Sequence, residues 1–153
     1  MNKTQMKIIN KKAKFNFEFL EKEIAGIVLK GTEIKSIRDN KVNFNDSFCY
    51  FKDNELWIKN LNISEYFNGN LNNHEPTRER KLLLTKKQLE RFKSKLEEKG
   101  LTIVPTEIFI NDKGFAKIEI ALSRGKKTYD KKQIIKENDI KKEMDRELKK
   151  YKF

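Results

Sequence analysis

Cysteine and histidine each occur once in the 153 residues, at Cys49 and His74. A single cysteine excludes a disulfide framework and any thiolate zinc cluster. A single histidine excludes a two-histidine acid–base pair within the chain. No apolar run approaches the roughly 18 residues of a membrane-spanning helix. Lys7-Ile8-Ile9-Asn10-Lys11 has no apolar stretch of signal-peptide length. A phosphate-binding loop is incomplete: Gly125-Lys126-Lys127-Thr128 matches its end, but Ile120 stands where the earlier glycine is required. The expectation is a reduced, cytoplasmic, monomeric domain with no metal, no cofactor and no membrane contact.

What is abundant is positive charge. Lys+Arg number 35 against 23 Asp+Glu, a net +12. Of the cations 29 are lysine, so compositional drift could inflate the total, and distribution decides the matter. Residues 124–153 hold twelve cations and six acids, and residues 1–14 hold five lysines and no acid. Uniform drift does not polarise both ends. A polyanion is therefore the expected partner, nucleic acid before membrane, because neutralising phosphates releases counterions.

Phe15, Phe17 and Phe19 alternate with polar residues, which predicts a half-buried strand. Further strands are expected at 24–29, 47–51, 56–63, 103–110 and 115–122. Thr32 is a candidate N-cap for a short helix through Arg38, with Ile34 and Ile37 inward and Glu33, Lys35 and Arg38 outward. Residues 64–80 read as a long irregular stretch. Thr85-Lys86-Lys87-Gln88 matches a capping box, Leu89, Phe92 and Leu96 form a helical stripe, and Gly100 ends it. Asp53-Asn54 supplies a turn between the strands at 47–51 and 56–63, and Asn111-Asp112-Lys113-Gly114 signals a hairpin. The expected fold is mainly β with helices (α+β): a six-stranded antiparallel closed barrel of the oligonucleotide-binding type over residues 1–123, with flanking helices. Closure removes the exposed edges of six strands. Residues 124–153 read as a basic tail with a thin stripe of Ile140, Met144 and Leu148, disordered when free and helical against a partner. A packed C-terminal helix is the alternative.

Catalytic chemistry finds little support. His74 lies among turn-forming residues and fits a loop hydrogen-bonding role, and Cys49 fits the core. Glu97-Glu98 diverge on a helix and read as solvated charge. Binding chemistry is better served. Arg78, Arg80 and Lys81 follow the long loop and could clamp phosphates, and Lys35 and Arg38 are outward cations of the short helix. Lys14-Phe15 and Phe51-Lys52 pair an aromatic ring with a cation, a combination suited to stacking on unpaired bases, though only an outward ring qualifies.

Eight segments in order carry a resemblance. They are Asn10-Lys11-Lys12-Ala13, Ala25-Gly26-Ile27-Val28-Leu29, Gly31-Thr32-Glu33-Ile34-Lys35-Ser36-Ile37-Arg38, Asp46-Ser47, His74-Glu75-Pro76-Thr77-Arg78, Arg80-Lys81-Leu82-Leu83-Leu84, Gly100-Leu101-Thr102-Ile103-Val104-Pro105 and Gly125-Lys126-Lys127 with Asp130-Lys131-Lys132. Together they closely resemble the small protein B family of bacterial SsrA-binding proteins, from about residue 8 to the C-terminus. The resemblance implies a barrel with flanking helices and a basic tail. It implies binding of transfer-messenger RNA and its delivery to stalled ribosomes for trans-translation, with elongation factor Tu accompanying the charged RNA. RNA contact would fall on Asn10, Lys11, Lys12, Leu83, Lys117 and Gly125-Lys126-Lys127. Ribosomal contact in the decoding centre and message channel would fall on Asp130, Lys131, Lys132, Lys136, Ile140, Met144 and Leu148. The tail would become helical on the ribosome.

This chain departs from the family where Phe15 and Phe17 replace His and Tyr, Ile24 replaces Glu and Lys132 replaces a common Arg. Because the family residues contact RNA, the resemblance implies that stacking is kept at Phe15 and Phe17 and hydrogen bonds are given up. Two other functions fit the composition: a ribosomal or general translation protein, and an RNA-processing enzyme using His74.

Overall fold

Period-2 patterning builds most of the architecture, and capping side chains decide where it is interrupted. The computed structural model describes residues 6–66, 73–98, 100–126, 132 and 135–144. In chain order these form β1 (Lys7–Ile9), α1 (Lys11–Asn16), β2 (Phe17–Ile27), α2 (Gly31–Arg38), β3 (Val42–Asn43), β4 (Phe48–Lys52), β5 (Glu55–Lys59) and β6 (Asn62–Ile63). Then come β7 (Arg80–Leu83), α3 (Lys86–Leu96), β8 (Leu101–Ile110) and β9 (Ala116–Gly125). Residues 135–144 are also helical.

The fold is mixed α+β, and every strand pairing is antiparallel. The main sheet runs β1-β8-β4-β5-β7-β2-β9, and a further β8–β9 pairing joins its far end back to β8, so six strands form a ring. β3 and β6 make a separate two-stranded ribbon. Ile58, Ile103, Ile108, Ile118 and Ile120 point into the ring with no exposed surface, and Ile37 of α2 and Phe92 of α3 join the same core. Burying a side chain of this size stabilises by about 1.5–3 kcal/mol.

Several expectations change. Phe15 is not in a strand; it lies in the last turn of α1. Asn10 caps that helix by accepting a hydrogen bond from the Ala13 N–H at 3.1 Å, and the cap overrides a three-Phe alternation. The strands expected at 15–19 and 24–29 are instead the single β2 of eleven residues, with a bulge between Phe19 and Glu21. The strand expected at 56–63 breaks into β5 and β6 because Asn60 takes φ 68°. β7 emerges at the close of the stretch read as irregular. Lys30, not Thr32, precedes α2, and the Glu33 carboxylate accepts the Lys30 N–H at 2.7 Å.

Other signals hold. Thr85 Oγ1 accepts the Gln88 N–H at 3.2 Å while Gln88 Oε1 accepts the Thr85 N–H at 2.9 Å, a complete capping box. Gly100, however, does not end α3: the helix stops at Leu96 with Glu97 as its C-cap, three residues before the glycine. Asp53 and Asn54 take φ 53° and 62°, the left-handed pair of a two-residue hairpin turn.

Candidate nucleic-acid interface

The N-terminal cationic segment meets the residues that follow β9. β2 begins beside the end of β9, with Phe17 opposite Gly125. The Lys126 N–H donates to the Asn16 carbonyl at 2.8 Å, and Lys126 Nζ donates to the Lys14 carbonyl at 3.1 Å. Lys11, Lys12 and Lys14 of α1 are exposed beside this junction, and Lys12 pairs with Asp46 at 2.7 Å. Residues about 110 positions apart in sequence thus form one cationic surface. Phe15 and Phe17 lie half-buried within it.

Asn10 has a different task from direct contact. Only 5 % exposed, it donates from Nδ2 to the Pro105 carbonyl at 2.8 Å, and its N–H donates to the Thr106 carbonyl at 2.8 Å. With its Oδ1 capping α1, every polar group is spent on fixing the helix against β8. Asn10 thus positions α1, and little of its side chain is exposed.

A second group sits roughly 25 Å along β9 at the strand rise. Gly26 of β2 lies opposite both Leu83 of β7 and Lys117 of β9. A Cβ added at Gly26 would stand 3.2 Å from the Leu83 Cβ, so the bare glycine lets Leu83 lie across the strand. Leu83, Ile24 and Val28 are exposed apolar residues on this outward face. Nearby, Lys22 reaches Glu119 at 3.5 Å and Lys7 reaches Glu107 at 3.1 Å. Burial together with the adjacent Glu107 raises the Glu119 carboxyl. Burial also acts to raise Glu107, but the hydrogen bond from Glu119 and the charge of Lys7 prevail and lower it.

Arg80 is the clearest correction. It has no exposed surface and cannot clamp a phosphate. Its Nε pairs with Glu33, Nη1 donates to the Leu61 carbonyl at 2.8 Å, and Nη2 donates to the Pro76 carbonyl at 3.1 Å. Glu33, expected to face outward, is fully buried and also takes Arg78 Nη2 at 2.5 Å. Arg78 further donates to the Val28 carbonyl at 3.3 Å, so it too serves this ion-pair knot. Lys81 pairs with Glu55 at 2.8 Å on the outward face of β7. Lys35 sits 5.4 Å over the Tyr66 ring, and Arg38 lies beside Gly114 of the β8–β9 hairpin. Both are exposed cations of α2, a helix that takes no part in the α1–Lys126 contacts.

His74 is buried, with Nε2 2.7 Å from the Ile63 carbonyl and Nδ1 2.8 Å from Thr32 Oγ1. A carbonyl only accepts, so Nε2 carries the proton and Nδ1 accepts from the hydroxyl. Both nitrogens are engaged, and none is left to act as a base. His74→Ala should cost about 2–3 kcal/mol, because it leaves the Ile63 carbonyl and Thr32 hydroxyl without a buried partner. Urea unfolding at neutral pH measures this. Cys49 is a core residue whose thiol is pushed up by burial. Among the described residues no group of three His, Cys, Asp or Glu side chains could hold a metal ion, and no helix is long and apolar enough to cross a membrane.

Residues 135–144, with Lys136, Ile140 and Met144, are helical and exposed throughout. Lys127, Asp130, Lys131 and Leu148 lie outside the described residues. Lys132 is exposed. Tyr50 and Trp57 were missed as outward aromatics. The signal was present: each alternates with the buried Cys49, Leu56 and Ile58, which places both rings on the opposite face.

A cationic surface joined from both chain ends, on an α+β sheet whose only histidine is spent on structure, defines a polyanion-binding domain. The family model described as SmpB protein matches residues 7–150, and the chain belongs to that family. A protein of Phocaeicola vulgatus named SsrA-binding protein is 52 % identical over 149 residues, covering 97 % of this chain and 99 % of its own. The SsrA-binding protein of Cytophaga hutchinsonii is 55 % identical over 139 residues, 91 % of each chain. A solved structure described as "tmRNA-SmpB: a journey to the center of the bacterial ribosome" superposes with a TM-score of 0.70 at 46 % identity, covering 84 % of this chain and 94 % of that one.

Proposed function

We propose that this protein binds transfer-messenger RNA and carries it to stalled ribosomes for trans-translation, so that the nascent chain is tagged and the ribosome is freed. It works in the cytoplasm, without catalysing a reaction itself. The observation that carries the reading is the junction of Lys126 with Asn16 and Lys14, which unites the two cationic segments that the family motifs single out. Membership of the family supports the identity of the RNA. We read the six-strand ring as a closed barrel of the oligonucleotide-binding type, a form that removes sheet edges and offers its outer strands to nucleic acid.

On this reading Lys11, Lys12, Lys14, Gly125 and Lys126 grip phosphates at one end of β9, and Leu83 and Lys117 meet the RNA at the other. Residues 124–153 form the tail that enters the decoding centre and message channel, and its exposed helical stretch at 135–144 leaves Ile140 and Met144 free to dock there. Elongation factor Tu enters only through the charged RNA.

Sequencing the RNA that co-purifies from the native cell tests the reading. Transfer-messenger RNA should dominate; ribosomal RNA without it would instead support a ribosomal or general translation protein. Removing residues 131–153 should leave RNA affinity within about twofold, since few phosphate contacts are lost, and should abolish peptide tagging on stalled ribosomes. Equal loss of both would overturn the division of labour.

A further inference from the structure

The outward face of β4, β5 and β7 bears aromatic rings that the core does not use. Phe48, Tyr50 and Trp57 are half-buried there. The Phe48 and Tyr50 ring centroids are 6.3 Å apart, Tyr50 lies opposite Trp57, and Trp57 lies opposite Lys81. Lys52 Nζ stands 5.7 Å over the Trp57 ring, and exposed Lys59 pairs in register with Phe48. Of the acids nearby, Glu55 is paired with Lys81 at 2.8 Å, and burial together with Glu79 raises the Tyr50 hydroxyl.

Phe48 turns this row toward the α1 surface. With Phe17 it lines a cavity of about 250 Å³ between α1, the turn before β4 and β8. Ser47 lines the same cavity and is 95 % buried, yet its hydroxyl has no hydrogen-bond partner. A cavity with two aromatic walls, lined also by the polar Asn16, Asn45 and Thr102, suits an extruded base, which stacks on rings and offers edge atoms to polar groups. The row and the cavity therefore form one track from Trp57 through Tyr50 and Phe48 to Phe17, ending beside the cations of α1.

We infer that this track binds an unpaired RNA strand, stacking its bases on Trp57, Tyr50 and Phe48 and seating one base in the cavity against Phe17 and Ser47. This site deepens the proposed RNA-binding function, on which it rests for its direction, since the strand leaves the α1–Lys126 surface. Duplex RNA is excluded by the same physics, because its bases are stacked on one another and present only phosphates and groove edges.

Trp57 is the only tryptophan, so its fluorescence reports the track directly. The full chain is titrated with short oligouridylate, short oligoadenylate and a duplex of the same length at low salt. Single strands should quench Trp57 and the duplex should not. Tyr50→Leu should weaken the single-strand response by about 5- to 160-fold, the range for losing one stacked base. Lys59→Glu, a surface change outside the core, should weaken it by several-fold and steepen no unfolding transition. Absence of quenching by both single strands, or equal quenching by the duplex, overturns the track. Folded transfer-messenger RNA is measured in parallel by gel shift. Its failure to bind would overturn the proposed function while single-strand quenching still upheld the track.

Discussion

Glu33→Ala should destabilise the fold by about 3–5 kcal/mol, the usual cost of removing one member of a buried ion pair. The size follows from what is stranded. Arg80 has no exposed surface and would keep its charge with only the Leu61 and Pro76 carbonyls as partners. Arg78 would lose its 2.5 Å contact, and the Lys30 N–H would lose the oxygen that opens α2. Total stability of a domain this size is about 5–15 kcal/mol, so the loss is large enough to populate unfolded chains. Glu33→Gln retains an acceptor for Arg80 but not the charge, and should fall between the wild type and Glu33→Ala.

The same knot sets a pH dependence. Burial acts to raise the Glu33 carboxyl, but hydrogen bonds from Arg78 and the Lys30 N–H and the charge of Arg80 outweigh it, and the group titrates below the usual carboxylate range. A carboxyl lowered on folding contributes stability in full above its unfolded value of about 4.3 and loses it as pH falls through the lowered folded value. Wild-type stability should therefore drop steeply on acidification below about pH 4, and the Glu33→Gln variant should lack that part of the drop. Urea midpoints across the acid range check both the sign and the window. An equal acid slope in wild type and variant would remove Glu33 as the source.

Local patterning made some of this molecule legible. The Thr85–Gln88 capping box and the Asp53-Asn54 turn needed only residues close in sequence, and both are found. Long-range competition concealed the rest. Phe15 alternates correctly for a strand, but the Asn10 cap is anchored to Pro105, 95 residues away, and no local window contains that bond. Arg80 follows a polar loop and carries a charge, so composition favours the surface; only the facing Glu33 and two carbonyls explain its burial. The candidate surface was legible in the same uneven way. Two cationic ends were evident from composition, whereas their junction depends on the β2–β9 register. Tyr50 and Trp57 lay within readable alternations, but the tilt of Phe48 toward Tyr50 and its place in the cavity beside Phe17 depend on neighbours from α1 and β8.

Charge removal on α1 should have the largest effect on binding. Lys11→Ala with Lys14→Ala should weaken transfer-messenger RNA binding by about 25- to 60-fold near 0.1 M salt, because each lost phosphate contact forfeits a salt dependence of about 0.7–0.9 in log units. Both side chains are exposed on the first and last turns of a helix whose cap is Asn10, so their removal leaves the Asn10, Lys126 and Phe17 contacts intact. Stability should change by no more than about 0.5 kcal/mol, as for surface substitutions in general. The decisive readout is the slope of log affinity against log salt. Two contacts removed should flatten it by about 1.4–1.8. Lys12, already paired with Asp46 at 2.7 Å, should flatten it less when changed to alanine, since part of its charge is matched within the protein. An affinity loss with an unchanged slope would mean that α1 acts through shape and stacking at Phe15 and Phe17, and that the phosphates are held elsewhere.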